Sequence, residues 1–295
     1  MANESAAVGP RPTPRIDHVM ILLDAVAYDD VAASGFLGDR FARIKRKEAD
    51  SSIAGSYATL GVAGDNSLVE LFRAGAPGTA AMTGGLVFSF EEPGSHPVAR
   101  SLLDADGVAY HADLVRRTVE GMAEQQPWYH LISVDLGRPS PLLLFLNEVT
   151  PEYFESLGAA REPGGAMRRA DYLDAVLGEP ANGKKLLRDI TGVSLTVRTD
   201  RANRIAAALA AVGYTDTGHP AARELRGPGL DLRLTVDESA DERVTEIRID
   251  LVPGLRGPDT PAELRFGRTS RLVIEPDDTA RWIFAPAGQH TRSAG

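Results

Sequence analysis

The sequence predicts an α+β protein built from repeated βαβββ units whose mixed sheets curl into cups, with three units and a C-terminal partial one. Two observations carry that prediction. The order strand, helix, three strands recurs with a period of about 70–105 residues, too long for a solenoid repeat and right for a supersecondary unit. The first unit opens on an apolar segment with one histidine, Ile16-Asp17-His18-Val19, and closes on one with a single carboxylate, Leu68-Val69-Glu70-Leu71. First and last strands of such a unit lie side by side, so His18 and Glu70 are expected to face each other inside the cup although 52 positions apart.

The first unit reads in order as a flexible arm over 1–14, a half-buried strand over 17–24 and a helical stretch over 27–41. Ser34-Gly35 predicts a break near the middle of that stretch. Strands follow at 43–49 and 57–63, and the Gly64-Asp65-Asn66 turn leads into a last strand at 68–73. After a small-residue linker over 74–82 the pattern restarts. It gives a strand at 85–90, a short helix at 97–104 with Pro97 near its start, and a segment around 112–122 that reads as either strand or helix. Strands at 128–136 and 142–149 flank a turn, Gly137-Arg138-Pro139-Ser140-Pro141.

Thr150 is expected to cap a short helix that begins at Pro151. Residues 159–187 read as a connection containing one helix. The third unit, within 188–286, has a strand at 190–197, a helix at 200–212 with Asp200 as N-cap and Gly213 as C-cap, and strands at 223–225, 231–236 and 244–251. A last piece over 262–284 has three short strand-like runs and no helix before them, as a partial fourth unit would, and 287–295 reads as a disordered tail. Two weak echoes support the repeat: Ile190-Thr191-Gly192-Val193 against the opening strand, and Ile247-Arg248-Ile249-Asp250-Leu251 against the strand carrying Glu70.

Composition narrows the function classes. A net charge of −9 argues against a phosphate-binding surface, and the one basic cluster, Arg40 to Lys47, reads as a solvated face. The absence of cysteine excludes disulfides, thiolate metal sites and a cysteine nucleophile. The N-terminal residues have no apolar core of a signal peptide and no apolar run is long enough to span a bilayer, so the cytoplasm is the default compartment. No Gly-rich phosphate loop or Gly-x-Ser-x-Gly elbow occurs. Exposed sheet edges make a homodimer reasonable. Tyr57, Phe88, Trp128, Phe145 and Trp282 are candidates to wall an apolar pocket.

The repeated units, the Asp-His-Val opening and the Val-Glu-Leu-Phe closing strand resemble the vicinal oxygen chelate superfamily, the fold of glyoxalase I, extradiol dioxygenases and bleomycin-resistance proteins. Asp24 with Tyr28, Ser34-Gly35-Phe36-Leu37 and Arg281-Trp282-Ile283-Phe284 are similar to an uncharacterised glyoxalase-like bacterial family within it. The resemblance implies a divalent metal (Fe, Mn, Ni, Co or Zn) held in the cup by His18, Glu70 and Glu148. It further implies isomerase, lyase or oxygenase chemistry on a small organic or natural-product substrate. Imidazole and carboxylate suit such metals. The second unit departs from the pattern, because its first strand, residues 84–90, offers no histidine, glutamine or carboxylate. Two further readings stay open: a metal-free small-molecule or drug-sequestering protein, and a metal-free enzyme with Glu70 or His130 as acid or base, Glu70 having its pKa raised by burial.

Overall fold

The computed structural model describes residues 11–51, 55–76, 79, 82–118, 124–178, 183–219 and 221–286. The expected arm and tail fall largely outside these residues. Pro14, placed in the arm by the sequence, is buried, and its carbonyl accepts from the Tyr214 hydroxyl at 3.0 Å.

The first unit comprises β1 (Arg15–Leu23), α1 (Ala25–Ala33), β2 (Arg43–Ser51), β3 (Gly55–Ala63) and β4 (Leu68–Arg73). Asp24 caps α1, accepting from the Ala27 amide at 2.9 Å. The expected break occurs at Ser34-Gly35, after which the chain forms a π-helical turn, Leu37–Phe41, that buries Leu37 and Phe41. The second unit is β5 (Gly84–Phe90), α2 (Ser95–Ala105), β6 (Tyr110–Arg117), β7 (Gln126–Val134) and β8 (Leu142–Val149). The ambiguous segment is therefore a strand up to Arg117; residues 119–123 lie outside the described ones.

In each unit the helix returns the chain, so the last strand runs parallel to the first: β4 beside β1, and β8 beside β5. The units join through antiparallel pairing of β1 with β5. At the far side the Ser51–Arg117 bridge joins β2 to β6, and the order β1-β4-β3-β2-β6-β7-β8-β5 closes into a barrel. Closure removes both free edges.

After α3 (Pro151–Ser156), capped by Thr150 as expected, comes α4 (Arg169–Leu177). The third unit is β9 (Leu187–Val197), α5 (Thr199–Ala211), β10 (Thr215–Asp216), β11 (Ala222–Gly227) and β12 (Leu230–Val236), followed by β13 (Arg243–Leu251), β14 (Glu263–Phe266), β15 (Ser270–Ile274) and β16 (Thr279–Phe284). Arg198, not Asp200, is the N-cap residue of α5, and Gly213 follows the helix at φ 100°.

One assignment changes. The strand at 244–251 was expected to close the third unit; the structure makes it the opening strand of the partial fourth. The closing strand is β12, parallel to β9, whereas β13 lies antiparallel to β9 just as β5 does to β1. The echo of Glu70's strand in β13 is thus coincidental. Since no helix follows β13, the meander starts at the end where β13 stops, and β16 returns antiparallel to it. The eight strands form an open sheet, β10-β11-β12-β9-β13-β16-β15-β14. Its buried face shares one apolar core with the outer side of the barrel, where Phe88 and Tyr214 meet edge to face at 5.5 Å.

Candidate functional site

Strand alternation decides which side chains enter the barrel. On β4, Leu68, Glu70 and Phe72 face inward while Val69 and Leu71 are buried against the core outside. On β8, Leu143, Phe145, Asn147 and Val149 face inward. Consecutive residues of one strand normally point to opposite sides, yet Asp17 and His18 both reach the cavity. The register of β1 against β5 shifts between Ile16 and His18, leaving Asp17 as the extra residue of a bulge that turns it inward.

The cavity has a volume of about 1080 Å³. His18 and Glu70 meet in it as expected, with Nε2 to Oε2 at 3.3 Å. The other ring nitrogen, Nδ1, donates to Asp17 Oδ1 at 2.5 Å, and Arg169 Nη2 lies 2.7 Å from that same oxygen. Thr59 Oγ1 donates to Glu70 Oε1 at 3.0 Å. The result is a chain from Arg169 through Asp17, His18 and Glu70 to Thr59. Burial alone would discharge each group, but the partners win. Against that burial, Asp17 and Glu70 hold the His18 pKa up at about 9. Against its own burial, His18 and Lys47 hold Glu70 down at about 2. The expectation of a Glu70 pKa raised by burial is therefore reversed: Glu70 is an anion paired with an imidazolium.

Arg169 comes from α4, in the segment that reads from sequence as a connection. Glu91, just after β5, accepts from the Arg169 amide at 2.8 Å and pairs with Arg168 at 3.0 Å, which docks the helix start on the barrel. Tyr172, one turn on, receives a hydrogen bond from Trp128 Nε1 at 3.2 Å. Lys47, expected on a solvated face, points inward instead: its Nζ is 4.6 Å from the Trp128 ring centroid. The Arg117 guanidinium is 4.8 Å from the same ring, and its Nη1 donates to Tyr153 Oη at 2.6 Å. Of the expected pocket aromatics, Tyr57, Trp128 and Phe145 line the cavity; Phe88 and Trp282 are fully buried core. Tyr129, Tyr153 and Tyr172 line it unforeseen.

Glu148 and His130 are directly cross-strand partners on β7 and β8, and both face away from the cavity toward α2. Glu148 caps that helix, accepting from the Gly94 and His96 amides at 2.8 and 2.6 Å. His130 packs on His96, ring centroids 5.1 Å apart. The expected third metal ligand is thus a structural cap, and the alternative acid or base is outside the site. The pairing registers show why. His18 pairs with Leu68, two residues before Glu70; its β5 partner Val87 pairs with Phe145, two residues before Asn147. The second unit therefore presents Val87 and Asn147 where the first presents His18 and Glu70. A one-residue slip in reading β8 exchanges the two faces.

These residues do not fit a divalent metal. A catalytic ion takes about three protein ligands, and here the carboxylates sit at different nitrogens of one imidazole, with no imidazole or carboxylate of β5 or β8 facing the cavity. Among the described residues, no group of three or more His, Asp or Glu side chains converges as a metal site requires. Lys47 and Arg169 add positive charge where a cation would sit.

Two βαβββ units closed edge to edge around an inner cavity are the arrangement that the sequence resemblance to the vicinal oxygen chelate superfamily implies. The chain belongs to the family of unknown function DUF5829, whose model matches residues 16–284. No curated protein matches it. Among solved structures it is similar to a hypothetical protein from Staphylococcus aureus (11% identity, 76% of this chain and 86% of that one, TM-score 0.48). It is also similar to the Mn(II)-bound glyoxalase from Novosphingobium aromaticivorans (9%, 79% and 64%, 0.42). A third is a variant of homoprotocatechuate 2,3-dioxygenase from B. fuscum (12%, 95% and 74%, 0.46). No helix among the described residues is long and apolar enough to cross a membrane.

Proposed function

We propose that the barrel is a metal-free site for a small organic molecule. The observation that carries this reading is the composition of the enclosed wall. Ring faces of Tyr57, Trp128, Tyr129 and Tyr153 supply apolar contact area, and the polar groups are arranged around an ion pair that is already complete without a metal. Asp17 and Glu70 hold His18 by both nitrogens, so an entering metal would have to displace a well-held proton. No nucleic-acid surface and no membrane contact form part of the proposal.

One observation favours acid–base chemistry on the bound molecule. The charged His18 ring, backed by Asp17, shares its Nε2 proton with Glu70 at the cavity wall, and a developing oxyanion that takes the place of Glu70 at Nε2 can accept it. Glu70, held near pKa 2, is a weak base and serves to keep that imidazole charged.

Elemental analysis of protein purified without a metal-affinity tag tests the proposal, together with ligand titrations in excess chelator. Substoichiometric metal and unchanged affinity are expected. A full equivalent of a transition metal, lost in both His18→Ala and Glu70→Ala, would overturn it in favour of the metal-dependent lyase, isomerase or dioxygenase reading.

A further inference from the structure

We infer that the ligand is a flat organic anion whose negative group seats at Lys47 and Arg117, beside Trp128. The inference rests on the small-molecule reading above and specifies the chemistry of that ligand.

Charge inside the enclosed part of the barrel is unbalanced. The enclosed part of the cavity holds four cationic side chains, His18, Lys47, Arg117 and Arg169, against two carboxylates, Asp17 and Glu70; Lys45, Arg46 and Glu48 stand at its exposed rim. His18 and Arg169 use both carboxylates directly. Among the described residues, Lys47 and Arg117 are left with no carboxylate within ion-pair distance. Among the described residues, Lys47 Nζ has the Tyr57 hydroxyl at 3.4 Å and two ring faces, Tyr57 and Trp128. Arg117 has the Tyr153 hydroxyl and ring, and its Nε is buried with no hydrogen-bond partner. Two half-buried cations crowded on one indole repel each other where screening is weak, and a charge drawn out of water is costly unless paired. Ionisable groups so perturbed in a cleft cluster at functional sites, and an anionic ligand would complete this one.

The rest of the wall sets the ligand's shape. Tyr57, Tyr129, Tyr153 and Tyr172 line the cavity around Trp128, which meets Tyr129 edge to face at 4.8 Å and lies 6.1 Å from Tyr153, an aromatic lining suited to a planar body. Asn147 Oδ1 is buried and unpartnered on the same cavity wall, which calls for a donor such as a hydroxyl on the ligand. An aromatic carboxylate or phosphate monoester bearing a hydroxyl has this chemistry.

Isothermal titration with 1-naphthoate, 1-naphthyl phosphate and the neutral 1-naphthamide tests the inference, with Trp128 fluorescence placing the probe and a Trp282→Phe background removing the second tryptophan. At least one anion is expected to bind roughly tenfold or more tighter than the amide. Lys47→Gln and Arg117→Gln are each expected to remove that preference, and whichever anion binds tighter assigns the head group. Amide binding as tight as both anions, or a preference that survives both substitutions, overturns the inference while leaving the small-molecule reading standing. Binding of none of the three overturns both. A fold-level check needs no ligand: ligand-free Lys47→Gln is expected to melt no lower than wild type, and a clear drop in Tm would mark Lys47 as a structural ion instead.

Discussion

The barrel and the C-terminal sheet use the same unit and treat charge in opposite ways. On the open sheet the face corresponding to the cavity looks into solvent and its charges pair among themselves: Arg248 with Asp231 at 3.3 Å, Arg281 with Glu246 and Glu275 at 3.4 and 2.7 Å. At the position of His18 stands Gly192, and Arg248 lies so close over it that an added Cβ would collide with the guanidinium. In the barrel the charges are enclosed and the cations outnumber the carboxylates. Closure, rather than the unit itself, makes a ligand site: β2 meets β6 in the barrel, whereas β10 and β14 remain free edges of the open sheet.

Breaking one ion pair in each region should separate them most sharply. Glu70→Ala leaves the enclosed His18 charge with Asp17 alone, which Arg169 shares, and is expected to cost about 3 kcal/mol in denaturant unfolding at neutral pH. Glu246→Ala, on the open face, is expected to cost about 1 kcal/mol or less. Equal losses would mean that the barrel charges are as well solvated as those of the sheet.

The pH dependence is the next largest effect. The folded pKa of His18, about 9, lies above its unfolded value of 6.5, so its contribution is complete below pH 6.5 and is lost as pH rises through 9. Glu70, lowered from 4.5 to about 2, contributes above pH 4.5 and loses that contribution as pH falls through 2. Stability from this pair is therefore greatest between pH 4.5 and 6.5, and should fall by roughly 2–3 kcal/mol from pH 6.5 to 9. His18→Gln is expected to flatten the alkaline decline. A wild-type curve already flat from pH 6.5 to 9 would contradict the charged pair.

The smallest contrast lies between two neighbours on β8. Glu148→Gln should lose about 1 kcal/mol of stability through the weakened cap of α2 and leave ligand affinity alone. Asn147→Ala should do the reverse, weakening binding with little change in Tm because its oxygen has no partner to lose. Weakened binding in Glu148→Gln with an unchanged Tm would return Glu148 to the site.

Much of this was legible in the chain. Apolar alternation, the Ser34-Gly35 break, the Thr150 cap and the recurring element order reflect local preferences, which act over a few residues and leave a mark in sequence. The encounter of His18 with Glu70 was legible too, because a βαβββ unit places its first and last strands side by side whatever the rest of the fold does. Three features were settled only by the assembled structure. The face of β8 depends on a register that Asn147-Glu148 leaves open, and one residue of slip exchanges ligand wall and helix cap. The inward turn of Asp17 needs a bulge set by pairing with β5, which no residue of β1 announces. Lys47, Arg117 and Arg169 come from a basic cluster that looks solvated, a segment ambiguous between strand and helix, and a connection; only closure of the barrel under α4 brings them to one cavity. Electrostatic cost depends on the surrounding dielectric and on distance to the nearest opposite charge, and both are properties of the assembled fold.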